Sequence, residues 1–431
     1  MFNLHRERAE VEYLGDNFEQ SEALIEIGLY QAKSNLEKAE LYHLLIVQYS
    51  LRGNYAAAIE AGIDALNLLG VSLDREILRA SIDQELAEVK ENLGQSPISS
   101  LVDLPEMDES EKRMIVQLLI DLDPPTYIMA DLELYLLTSI KAVNFSIKYG
   151  NVAGSSKAYA NYGFIIGSFL GDYKSGYEFG VLALNLSQKF NHSAQKCQAS
   201  LLLGSWLSVW SQPIACAPAI NLEGYQAGLS GGEPQFAGYN LFGNICNQIF
   251  QGVSLDLIWA DIQNYFSFAQ QTQNQLLINI LTGVQLFIEP LISAPFPMAS
   301  HLTFPVSDRA FIEQCQSAKT LMALSIYHIC QMQLACVQQD FDRGLANILA
   351  VQPILDSVVG FTTSASYYFY GSLILLNSNS EKDMDEMLEG NWQQIESNQA
   401  KLKNWSDNCP ENFLDKYLLV RQKCVEFKAR L

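Results

Sequence analysis

The chain has 431 residues, 49% of them hydrophobic and 17% charged, and 48 acidic against 27 basic side chains leave a formal net charge of −21. Nucleic acids and anionic membrane surfaces are recognised by clustered Lys and Arg. No such cluster occurs in this sequence, so no nucleic-acid and no membrane partner is expected. The acidic excess favours solubility and suits a basic protein surface, while a solvated acidic outer face is the simplest account of it.

The opening MFNLHRERAEVE is charged early and lacks the apolar core of a secretory signal. A cytoplasmic protein is therefore expected. Leu14-Gly15-Asp16 reads as a turn, followed by Phe18 at an aromatic position and Ser21 at a small one. Residues 42–65 carry the strongest signal. Tyr42, Leu45 and Tyr49 recur on one helical face, Gly53-Asn54 stops that helix, and Tyr55 starts the next. Ala58 and Ala65 follow at helical spacing and allow close helix approach. The segment resembles a tetratricopeptide repeat of about 34 residues.

Residues 96–126 hold Pro97, Pro105, Pro124, Pro125 and an acidic run, and read as a connector with one helix at 111–121. Residues 127–290 read as successive helices, with breaks near Gly150-Asn151, Gly171-Asp172, Asn191-His192 and Gly231-Gly232. The apolar run 276–288 is interrupted by Asn279 and Gln285. It falls short of the ~20 apolar residues that cross a bilayer. Pro290, Pro295, Pro297 and Pro305 mark a long loop, a lid or a spacer. Gly171-Asp172-Tyr173 and Asp340-Phe341 open further turn-helix units with Gly176, Gly180, Ala183 and Gly344 at small positions. Residues 361–370 are β-like in composition but fit a buried helix equally well. The expected fold is all-α, a tetratricopeptide-like superhelical solenoid of antiparallel helix pairs. Its expected segments are 1–95 as regular repeats, 96–126 as connector, 127–290 as irregular helical repeats, 291–307 as Pro-rich loop and 308–431 as C-terminal repeats of one continuous solenoid.

Candidate chemistry is sparse. Gly228-Leu229-Ser230-Gly231-Gly232 matches the G-x-S-x-G nucleophile elbow, but the elbow needs a strand before the serine and 221–228 reads as helix. The glycines fit a helix stop, and the next helix is expected near Pro234. A serine hydrolase using Ser230 is the weakest of the readings. No Walker A loop and no His-Glu-x-x-His occurs, and the histidines at 5, 43, 192, 301 and 328 are scattered. The acidic run Glu381, Asp383, Asp385, Glu386 lacks the glycine and alternation of a calcium loop and suits a helix start. The cysteines at 197, 216, 246, 315, 330, 336, 409 and 424 form no Cys-x-x-Cys and sit in apolar runs, which fits buried reduced thiols. Trp206 and Trp210, four apart, read as core. The expected chain is not an enzyme and uses no cofactor or metal.

What remains is a binding surface. By resemblance to tetratricopeptide domains, Glu40, His43 and Val47 would face the groove as partner-binding residues. The Lys, Asn and Arg with which such domains grip a peptide carboxylate are not found there, which argues against a chaperone-tail clamp.

Five further segments resemble one family. They are Ser100-Leu101-Val102-Asp103-Leu104-Pro105-Glu106-Met107, Asp123-Pro124-Pro125-Thr126-Tyr127, Val143-Asn144-Phe145-Ser146-Ile147-Lys148-Tyr149-Gly150-Asn151, Gly171-Asp172-Tyr173 through Gly176-Tyr177 and Phe179-Gly180, and Asn412-Phe413-Leu414-Asp415-Lys416-Tyr417. In this order they are similar to the helical region that follows the predicted P-loop ATPase in cyanobacterial-type multi-sensor serine/threonine and histidine kinases. That family has a histidine where Asp415 stands, so any role of that histidine is lost here. The resemblance implies a regulatory arm without the family's catalytic residues. Its implied partner is a separate protein or the ATPase and kinase domains of the same polypeptide. A stand-alone adaptor, which Met1 would suit, is the alternative. Oligomeric state, effector and direction of regulation stay open.

Overall fold

A computed structural model describes residues 2–15, 17–129, 131–292, 307–378 and 384–429. Pro295, Pro297, Pro305, His301, Glu381 and Asp383 lie outside this set, as does Asp16 of the first predicted turn. Every regular element among the described residues is helical, and the backbone bridge between Glu106 and Asn151 is isolated. The chain divides into two compact units, Met1–Ile165 with Val181–Gln195, and Ile166–Gly180 with Lys196–Leu431.

The first unit contains α1 (Phe2–Leu14), α2 (Phe18–Gln31), α3 (Asn35–Leu51), α4 (Tyr55–Leu68), α5 (Leu78–Leu93), α6 (Ser110–Asp121), α7 (Asp123–Ile128) and α8 (Leu132–Tyr149). The division runs through α9 (Ser155–Ser168) and α10 (Tyr173–Lys189). Local chemistry sets the helix ends. Ser34 Oγ accepts from the Glu37 N–H at 3.1 Å, the N-cap pattern that satisfies an orphan donor of the first turn. Gly53 takes φ +71° and lets the chain reverse before Asn54 caps α4. Consecutive helices α1 and α2, and α3 and α4, pack along their lengths. The short turns between them make each pair antiparallel.

The core of the first three helices is Ala9, Leu24, Ile25, Leu41 and Leu44. The buried stripe of α3 is thus Leu41, Leu44 and Gln48, whereas Tyr42, Leu45 and Tyr49 are only half-buried. Gln48 is fully buried because its amide donates to Ser21 Oγ at 2.8 Å, and Ser21 donates to the Ala9 carbonyl at 2.7 Å. Small residues bring helices close: a Cβ on Gly62 would lie 2.5 Å from Leu122. The expectation of one helix between residues 96 and 126 needs correction, since α7 begins there too. Pro124 and Pro125 occupy its first turn, where the missing N–H costs nothing.

The second unit contains α11 (Ser193–Leu202), whose first three residues belong to the first unit, then α12 (Ala217–Ser230), α13 (Pro234–Gln251), α14 (Leu255–Gln271), α15 (Gln275–Ile288), α16 (Asp308–Ser317), α17 (Leu321–Gln338), α18 (Phe341–Val351), α19 (Thr362–Asn377), α20 (Met384–Asn408) and α21 (Pro410–Lys428). Here α12, α13 and α15 lock on through asparagines seated against glycines. Cβ atoms on Gly204, Gly224 and Gly238 would lie 2.2, 2.3 and 2.5 Å from the amides of Asn221, Asn240 and Asn274. Of the β-like segment at 361–370, Phe361 caps α19 and residues 362–370 are helical within it, all but Tyr368 and Tyr370 buried. Gly344 faces Ile374, as its small position demands.

All eight cysteines are free thiols. Cys216 is exposed and Cys336 and Cys424 are half-buried, which corrects the expectation of uniform burial. Cys216 sits in a short turn after Pro213 rather than in a helix interior. No helix among the described residues is long and apolar enough to cross a membrane.

Candidate functional site

The residues that carry chemistry in the first unit meet where α6 ends and α7 begins. Asp121 closes α6, Leu122 forms the corner, and Asp123 opens α7. His43 on α3 meets Asp121 with its Nδ1 at 2.7 Å from Oδ2, and Gln117 donates to the other oxygen at 2.9 Å. Asp123 is turned inward and only 3% exposed. Ser139 of α8 donates to its Oδ1 at 3.1 Å and Asn161 of α9 to its Oδ2 at 2.6 Å. The Lys157 ammonium stands 3.9 Å from that carboxylate and donates to the Ile120 carbonyl at 2.8 Å. Three further helices, α3, α8 and α9, are therefore tied to the α6–α7 corner by two carboxylates.

Burial sets the electrostatics. Asp123 loses its hydration, which raises its pKa to about 7; Lys157 and the Ser139 hydroxyl oppose that rise, and Asp121 adds to it. Burial pulls the His43 pKa down, but the Asp121 hydrogen bond and the charges of Asp121, Glu10 and Glu40 more than offset it, so the net shift is upward. Both oxygens of Asp123 are occupied by side-chain donors, which is the arrangement of a structural carboxylate. No group of three or more His, Cys, Asp or Glu side chains that could hold a metal occurs among the described residues.

A second tie joins two of the resemblance segments. The Met107 N–H donates to the Asn151 carbonyl at 3.0 Å, and the Asn151 N–H donates to the Pro105 carbonyl at 2.8 Å. Asn151 Nδ2 donates to the Leu101 carbonyl at 2.7 Å, and Tyr159 donates to Asn151 Oδ1 at 3.0 Å. Gly150 takes φ +104° there, and a Cβ would lie 2.5 Å from the Pro105 carbonyl oxygen.

The second unit repeats this logic around Trp210. Its ring stacks on Phe413 with centroids 5.3 Å apart, and Trp405 and Tyr173 complete the cluster. Trp210 Nε1 donates to the Gly360 carbonyl at 2.9 Å. Asn412 donates to the carbonyls of Val209 and Gln212 at 2.7 and 2.8 Å, and its Oδ1 accepts from the Ile214 N–H at 3.0 Å. The last helix is thereby fastened to a segment about two hundred residues earlier.

No family model matches the chain. Over 313 residues it is 24% identical to hybrid signal transduction histidine kinase G of Dictyostelium discoideum, a match that covers 67% of this chain. The chain spans 9% of that protein's length.

Glu40, His43 and Val47 are half-buried on one face of α3. Glu40 is paired with Arg6 of α1 and His43 with Asp121 of α6, so both polar members already have partners within the chain. Ser230 is the last residue of α12, exposed, and its hydroxyl donates to the Gln226 and Ala227 carbonyls of its own helix at 3.2 and 3.0 Å. A helix, not a strand, precedes it. Trp206 and Trp210 are buried, as their spacing suggested. His328 is buried against Asn347 at 2.8 Å, and burial lowers its pKa. Burial raises the thiols of Cys197, Cys246 and Cys336 to about 12, far from the reactive range. Sequence reasoning missed the Asp121–Asp123–Lys157 corner. A signal existed: Lys157 is the lone charged residue between positions 149 and 171, and a lone charge in such a run needs a buried partner.

Proposed function

We propose that the chain is a non-catalytic, tetratricopeptide-like helical arm of the signal-transduction kinase type, acting through reversible protein–protein contact. One observation carries this reading. The segments that resemble the kinase-associated arm use their polar atoms on the chain's own backbone and side chains: Asp123 on Ser139 and Asn161, Asn151 on Leu101, Asn412 on Val209 and Gln212. Polar residues that hold helices in register belong to a scaffold, whereas catalytic residues present their polar atoms to a substrate. The match to a region of a histidine kinase supports a signalling role for that scaffold.

In this reading the helix pairs stack into a superhelix, and the α3 face of Glu40, His43 and Val47 forms part of the contact surface. The partner is a protein or the ATPase and kinase domains of the same polypeptide, and the setting is cytoplasmic. Regulation then needs only a difference in partner affinity between two arrangements of the arm.

The test is titration of the purified chain with ATP and GTP, paired with assays of ATP hydrolysis and ester hydrolysis. The expected outcome is no nucleotide binding and no turnover; robust turnover or tight nucleotide binding would sink the proposal. Immunoblotting source cells then separates two settings of the arm. A band several times larger than 48.2 kDa means a segment of a kinase, and a band at 48.2 kDa means a stand-alone adaptor.

A further inference from the structure

The last helix leaves an apolar stripe uncovered. On α21, Leu414, Leu418 and Val425 are 41, 47 and 63% exposed. Together with Glu411, Arg421 and Lys428, also exposed, they occupy successive first and fourth positions of a heptad. The opposite face of α21 is engaged by the unit's own core through Asn412, Phe413 and Val420. The stripe therefore faces away from the fold.

The geometry points to a second copy of this chain as its occupant, packed antiparallel through α21. The argument is self-complementarity. Laid antiparallel about its middle, the stripe sets Glu411 against the second copy's Lys428, Leu414 against the second copy's Val425, and Leu418 against the second copy's Arg421. Each contact occurs twice, as two-fold symmetry requires. The aliphatic stem of Arg421 covers the facing leucine while its guanidinium reaches toward the second copy's Asp415, one turn away. Arg421 makes no ion pair among the described residues that would compete. Lys428 rests over Trp392 of α20 at 4.4 Å, a contact within the chain that its ammonium would share with or give up to the second copy's Glu411. A parallel pairing would instead set Glu411 against Glu411 and Lys428 against Lys428.

Net charge selects this helix for self-contact. Two copies at −21 each repel, yet residues 410–431 hold five basic and three acidic side chains. Here the repulsion is weakest. The inference concerns assembly and stands apart from the signalling role.

Sedimentation of the 431-residue chain across concentration, at low salt, tests it. The expected result is a monomer–dimer equilibrium. Glu411→Lys and Lys428→Glu should each raise the dissociation constant roughly tenfold, since each turns two attractive pairs into two repulsive ones. The double variant should recover the starting affinity. Leu418→Asp should abolish the dimer while leaving the helical circular dichroism unchanged. A chain that stays monomeric at every concentration overturns the proposal. So does a dimer that ignores the single reversals, or one that the double variant fails to rescue.

Discussion

Asp123 shows how much a single side chain can couple to pH. Its pKa in the fold is about 7, against an ordinary 3.8. Between those values the folded chain holds a proton that the unfolded chain has released. Its contribution is therefore largest below about pH 4, falls as pH rises through that window, and is flat above about 7. The loss is on the order of 4 kcal/mol. Asp123→Asn should flatten this slope in urea unfolding measured from pH 4.5 to 7.5. The amide can keep its oxygen on the Asn161 donor and turn its N–H₂ to the Ser139 hydroxyl, which can accept, so the variant should stay close to the protonated side chain at pH 4.5. Asn412 shows the same principle without charge. Asn412→Ala strands the Ile214 N–H and the Val209 and Gln212 carbonyls, and should cost about 2–4 kcal/mol in the same assay. A loss below 1 kcal/mol would mean that water replaces the side chain.

Among elements, turns were the most legible feature. Gly53-Asn54, Gly150-Asn151, Gly171-Asp172 and Gly231-Gly232 all separate helices, because a positive φ at Gly53, Gly150, Gly171 and Gly232 has few alternatives to glycine. Partners across the chain were not legible. Nothing local in Asn151 says that it will hold Leu101, and nothing in Asp123 says that it will meet Asn161. α7 was missed because prolines read as helix breakers until they fall in a first turn. The exposed stripe of α21 was not read from the sequence, because spacing alone does not say which face of a helix the fold covers. Gly150 and Gly53 make a matched pair of glycines for testing this. Both have positive φ, but a Cβ at Gly53 meets nothing within 4 Å, whereas at Gly150 it meets the Pro105 carbonyl. Gly53→Ala should cost about 1–2 kcal/mol from backbone strain alone. Gly150→Ala should cost about 3 kcal/mol or more, because the clash also breaks the tie to residues 101–107. Equal thermal midpoints for the two variants would show that this tie gives way without penalty.

At the scale of the whole molecule, three effects act in one direction with pH. Asp123 loses stabilisation up to about pH 7. His43 has a raised pKa, so its charged pair with Asp121 contributes fully below the ordinary histidine value of ~6.5 and is lost as pH climbs through the raised one. The net charge of −21 adds self-repulsion that grows as protons leave. The thermal midpoint should therefore fall between pH 5.5 and pH 8. Salt separates the causes. Self-repulsion between surface charges is screened at a Debye length of about 10 Å in 0.1 M salt, whereas the buried Asp123 carboxylate is screened much less. Added salt should thus recover part of the midpoint lost at pH 8, and the remainder should vanish in the Asp123→Asn, His43→Gln double variant. A midpoint that salt restores completely in the unaltered chain would assign the whole effect to surface charge and leave the buried corner with no part in it.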